Sequence, residues 1–92
     1  MSKIKTTIEF ILKAFTESNF KEFIKQLLTL REELIKIDPE HMEPRLVDFG
    51  MDEDMFDWTI SAIDRDATEY DWIAAGYIAK DLQEILQILN GV

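Results

Sequence analysis

The sequence predicts an all-α fold, a small antiparallel bundle of four main helices with one short extra helical turn. Three features carry this expectation. Apolar residues recur at three- and four-residue spacing along most of the 92 residues. No stretch alternates apolar and polar residues with period two over a useful length, so no sheet is expected. Helix-stop and helix-start residues also fall at regular places: Asp38-Pro39, Pro44, Gly50 and Asn90-Gly91.

The first helix is expected over residues 3–15, where Ile4, Ile8, Ile11, Leu12 and Phe15 share a face. The segment from Thr16 to Asn19 interrupts the pattern. Asn19 followed by Glu22 has the form of a capping box for a second helix. Thr16 and Ser18 are the other cap candidates, and a continuous bent helix is the alternative. The second helix carries Phe20, Phe23, Ile24, Leu27, Leu28, Leu30, Leu34 and Ile35, a wide stripe suited to the centre of a bundle. Its end is expected near Ile37, because Asp38 can cap a new start and Pro39 fits a first helical turn.

A short helix is placed at 44–49, closed by Gly50 in the left-handed conformation. Asp52 then caps a helix over 53–65, with Glu53 and Asp54 near its positive dipole end. Phe56, Ile60 and Ile63 are its expected core stripe, flanked by Met55, Trp58 and Ala62. Asp66 with Glu69, or Thr68 with Asp71, caps the last helix, 69–89. Ala74, Ile78, Leu82, Ile85 and Leu89 share one of its faces. Trp72, Ala75, Gly76 and Ala79 form a second, small-residue face that lets another helix approach closely.

Composition bounds the rest. The length fits one domain, 1–92, and 47% hydrophobic residues, including six Phe, two Trp and two Tyr, are enough for a modest core. A chain this small gains from pairing, so a homodimer is one expectation. The absence of cysteine excludes disulfides and thiolate metal sites and fits a cytoplasmic protein. No apolar run is long enough to span a bilayer, and MSKIKTTIEF lacks the apolar core of a signal peptide.

Net charge is −9, unevenly spread. Residues 1–37 hold seven bases against five acids, and residues 38–92 hold fourteen acids against three bases. Between 43 and 71 lie Glu43, Asp48, Asp52, Glu53, Asp54, Asp57, Asp64, Asp66, Glu69 and Asp71, offset only by Arg45 and Arg65. Crowded like charges cost stability, so a basic protein partner is expected. Nucleic acid and anionic membranes are repelled by the same surface.

No catalytic constellation accompanies these acids, and the chain is not expected to be an enzyme. His41 reads as a polar residue at a helix start. Asp48-Phe49-Gly50 matches the kinase metal motif in letters alone, with no other kinase element present. Asp52, Glu53, Asp54 and Asp57 lack the calcium-loop spacing and its glycine. Paired carboxylates can run glycoside hydrolysis, but nothing here builds a substrate cleft. No metal and no cofactor are expected.

Trp58 follows Asp57, and Trp72 follows Asp71. Both rings can fill the groove between the last two helices. The other reading leaves one partly exposed among carboxylates, as an interface anchor. The candidate partner-binding residues are Asp52, Glu53, Asp57, Asp64, Asp66, Glu69, Asp71 and Trp72. Several of these suit helix N-termini. Asp57 and Asp64 do not, and their seven-residue spacing places them about two turns apart on one predicted helix face.

The run Phe15-Thr16-Glu17-Ser18-Asn19-Phe20-Lys21-Glu22-Phe23-Ile24 resembles the aromatic-Thr-Glu-x-x-Phe helix start of the immunity proteins for nuclease colicins. The longer stretch from Ile11 to Leu34 is similar to the opening of colicin D-type immunity proteins. Together these cover about a quarter of the chain. The resemblance implies a compact acidic helical bundle that neutralises a basic nuclease toxin. The family's paired-tyrosine-proline element has no counterpart here, so no binding residue is carried over from it. The expected function is an immunity or inhibitor protein that covers a basic toxin surface. The alternatives are a phage DNA mimic that blocks a host defence nuclease, and a homodimeric adaptor that pairs through the Trp72–Gly76–Ala79 face.

Overall fold

Apolar stripes on consecutive helices decide which faces meet. The computed structural model describes residues 2–91. Helix α1 spans Ser2–Thr16, α2 Phe20–Leu34, α3 Pro44–Gly50, α4 Glu53–Ser61 and α5 Glu69–Leu89, with a 3-10 turn at Pro39–His41. No strand occurs among the described residues. The architecture is all-helical, with the four main helices and the short extra one in place.

Helices α1 and α2 form an antiparallel hairpin at the centre. α5 packs along α1, while α3 and α4 pack on α2. The tight connection after α1 has a local cause. Ser18 N–H donates to the Phe15 carbonyl at 3.1 Å, and Asn19 N–H donates to the Ala14 carbonyl at 2.9 Å. This double bond pattern closes a helix only when the residue after it turns left-handed, and Ser18 has φ of 56°. Asn19 then caps α2, its side chain accepting from Glu22 N–H at 3.2 Å. The expected box is not reciprocal, because the Glu22 carboxylate accepts from the Gln26 amide instead, at 2.9 Å.

Replacing Ser18 by glycine is expected to raise the unfolding free energy by about 0.5–1 kcal/mol. An L side chain costs roughly 1–2 kcal/mol in this conformation, and glycine returns part of that gain as unfolded-chain entropy. Urea denaturation measures the change, and an unaltered or lower midpoint would contradict it.

The core joins Ile4, Ile8 and Ile11 of α1 to Phe23, Leu27 and Leu30 of α2, all nearly or fully buried. Helix α5 adds Ala75, Ile78, Ala79, Leu82 and Ile85, and the short helices add Leu46, Phe49 and Phe56. Phe49 and Phe56 meet edge to face at 6.1 Å. The Arg31 guanidinium lies 5.0 Å from the Phe56 ring centre, a cation–π contact tying α2 to α4.

Several local expectations are corrected. Helix α2 ends at Leu34, not near Ile37, and Ile35 is an exposed C-cap. Gly50 is the last residue of α3 and does not adopt a positive φ. Its use there is steric: a Cβ at Gly50 would lie 3.3 Å from Leu34 Cδ1, where the end of α3 meets the end of α2. Helix α4 stops at Ser61, not at 65, and its buried face runs through Phe56, Thr59 and Ala62 instead of Phe56, Ile60 and Ile63. Ile60 and Ile63 are exposed, while Thr59 and Ala62 are buried. The small-residue face of α5 is covered by the chain's own α1. Phe15 lies 6.1 Å from Trp72, and its ring reaches within 3.7 Å of where a Gly76 Cβ would sit. The face expected to pair two chains is therefore occupied from within.

Candidate functional site

The acidic block divides into a buried part and an exposed part, and the division starts at the caps. Of the two cap alternatives for α5, Thr68 with Asp71 forms. Asp71 N–H donates to Thr68 Oγ1 at 3.2 Å, and Thr68 N–H donates to Asp71 Oδ2 at 2.8 Å. Asp71 does more than cap. Trp58 Nε1–H donates to its Oδ1 at 2.9 Å, and the Arg65 guanidinium engages both carboxylate oxygens, with Nη2 at 2.9 Å from Oδ1. Asp71 is only 1% exposed. The carboxylate thus clasps α4, the loop after it and the first turn of α5 at one point.

This clasp sets the electrostatics of that corner. The Arg65 guanidinium holds the Asp71 carboxyl well below the usual aspartate range. Hydrogen bonds from Thr68 and Trp58 act in the same direction, while burial opposes them. Asp71 in turn raises Arg65 above its ordinary value. Asp71 is a buried structural acid with both carboxylate oxygens engaged.

The two tryptophans follow from the same geometry. Trp58 meets the Phe20 ring edge-on at 6.2 Å, and Trp72 meets it at 5.5 Å. Both are half-buried around the start of α2. Both pack on a shared phenylalanine; Trp58 also lines the space between α4 and α5, while Trp72 turns to the α1 side against Phe15.

That space is left open. A groove of about 660 Å³ runs between α3–α4 on one side and α5 on the other. Helices α3 and α4 contribute Phe49, Met55 and Trp58, and α5 contributes Tyr70, Ile73, Ala74, Tyr77 and Ile78. Tyr70 and Tyr77 are each 71% exposed, and Ile73 is 54% exposed. Asp48, Asp52 and Asp54 stand on the α3–α4 side and Asp81 on the α5 side. Arg45 also lines the groove, but it pairs with Glu84 at 3.8 Å, so the acids remain in excess.

The candidate residues from the sequence scatter over this surface. Asp52 lines the groove while its side chain caps α4, accepting from Met55 N–H at 3.0 Å. Glu53 is exposed in the first turn of α4, and Asp57 is exposed further along it. Asp64 and Asp66 are exposed in the loop after α4, and Glu69 is exposed at the start of α5. Asp57 and Asp64 do not share a helical face, because the helix ends between them. The groove residues missed from the sequence are Ile73, Tyr77 and Asp81. Their signal was present: Tyr70, Ile73 and Tyr77 stand at i, i+3 and i+7, a stripe apart from the Ala75–Ile78–Ala79–Leu82 core face.

Among the described residues, no group of three or more His, Asp or Glu side chains converges as a metal ion would require. No described helix is long and apolar enough to cross a membrane. Compared with known proteins, the chain matches no family model, no curated protein and no solved structure.

Proposed function

We propose that this chain is a binding protein of the immunity or inhibitor type, which neutralises a basic toxin by docking it over the groove between α3–α4 and α5. One observation carries the reading: exposed Tyr70, Ile73 and Tyr77 lie between carboxylates on both walls of an open groove. Exposed aromatics at a groove cost solvation of apolar surface, and clustered tyrosines are the residues from which interface hot spots are built. Surrounding acids steer a basic surface towards them and exclude acidic competitors. The resemblance of residues 15–24 to colicin immunity proteins, together with the −9 charge, points to a nuclease toxin as the partner class. Inhibition would follow from occlusion of the toxin's substrate-binding surface, with no chemistry performed by this chain.

The test is titration calorimetry of the purified chain against the basic product of the adjacent gene, with the toxin's activity assayed in parallel. Binding is expected to inhibit the toxin and to weaken about tenfold or more between about 50 and 300 mM salt. Absence of binding at the lower salt would overturn the reading.

A further inference from the structure

We infer that the occupant of this groove is a single amphipathic α-helix of the partner, apolar along the face that enters and basic along both flanks. The inference rests on the reading that the groove takes a basic partner, and it names the form that partner presents.

The walls argue for a helix first. Both sides of the groove are helices whose backbone groups are bonded within themselves, so there is no open strand edge to which an extended peptide could add. Affinity must come from side chains, and an incoming helix brings its own backbone already satisfied. The length of the site agrees. The exposed stripe from Tyr70 to Asp81 on α5 covers about 16 Å of helix rise, or three turns. Its direction agrees as well: Tyr70, Ile73 and Tyr77 form a straight row, the kind of surface that meets anchors at i, i+3 or i+4, and i+7.

The packing leaves the groove side of α5 without a helix against it. α5 packs on α1 and α4 packs on α2, while the Trp58–Arg65–Asp71 clasp joins α4 and α5. Between the two lies the groove, with Met55, Trp58 and Ile78 among its apolar lining. Charge selects the occupant. Asp48 and Asp54 on one wall and Asp81 on the other would meet cations on both flanks of an inserted helix. A second copy of this chain is disfavoured by the same acids, since it too carries −9.

Three synthetic peptides of about four turns each test this. The first is a leucine–lysine helix with its leucines on one face. The second has the same composition with the leucines scattered, and the third replaces lysine by glutamate. Tryptophan fluorescence reports occupancy beside Trp58, and circular dichroism reports peptide helicity. The first peptide is expected to bind and become helical. The scattered peptide should bind about tenfold more weakly or worse, and the glutamate peptide should not bind. Ile73→Asp, at an exposed position that leaves folding intact, should weaken the first peptide about tenfold. Equal binding of the first two peptides, a bound peptide that stays non-helical, or indifference to Ile73→Asp would each overturn the helix inference. If both lysine peptides bind equally and Tyr77→Ala weakens both, the basic-partner reading stands alone. If no lysine peptide binds at low salt, both fall.

Discussion

Asp71→Ala is expected to lower the unfolding free energy by about 3 kcal/mol, a large share of the stability of so small a domain. The substitution removes the acceptor shared by Trp58, Arg65 and Thr68 and leaves the indole N–H half-buried without a partner. Arg65 is 39% exposed and regains water, which keeps the loss below that of a fully buried pair. Urea denaturation measures the effect, and a loss under about 1 kcal/mol would show that the clasp contributes little.

The same carboxylate gives a pH signature of known sign. Its folded-state pKa lies below the unfolded value of about 3.9, so in that range the folded chain binds fewer protons than the unfolded one. The stabilisation is whole above the unfolded value and is lost as pH falls from about 4 towards the folded value. The gap in stability between the native chain and Asp71→Ala should therefore be constant near neutrality and narrow below about pH 4. A gap that stays constant into acid would contradict the assigned ionisation.

Reversing charge on both groove walls, Asp48→Lys with Asp81→Lys, is expected to weaken toxin binding on the order of 100-fold at low salt. Neither residue caps a helix, so helicity should be unchanged. The matching reversal of Asp57 and Asp64, which lie outside the groove lining, should cost less than about fivefold, as expected of charges that only steer encounter. The comparison locates the interface: a larger loss from Asp57 and Asp64 would move it to the outer face of α4 and the loop beyond.

The two sets of acids also show where sequence periodicity reaches its limit. Asp57 and Asp64 could be placed on one face only if the helix ran to residue 65. It ends at Ser61 with Ala62 as a buried C-cap, and the loop that follows brings Arg65 back to Asp71. That bond spans six residues and two elements, and no local pattern encodes it. The capping box at Thr68 was legible, since it depends on residues three apart. That the same Asp71 would also bind Trp58, thirteen residues away, was not.

Short-range physics therefore accounts for the helices. Their number, their order, the N-caps at Asn19, Asp38 and Asp52, and the stripes of α1 and α2 all follow from neighbours within about two turns. The charge asymmetry, and with it the expectation of a basic partner, is likewise a property of composition. Which acids are free to meet that partner depends on packing. Folding buries Asp71 as a clasp, covers the Trp72–Gly76–Ala79 face with α1, and brings Asp81 opposite Asp48 and Asp54 across a groove. Those relations join residues from separate helices, so they exist only once the helices have docked.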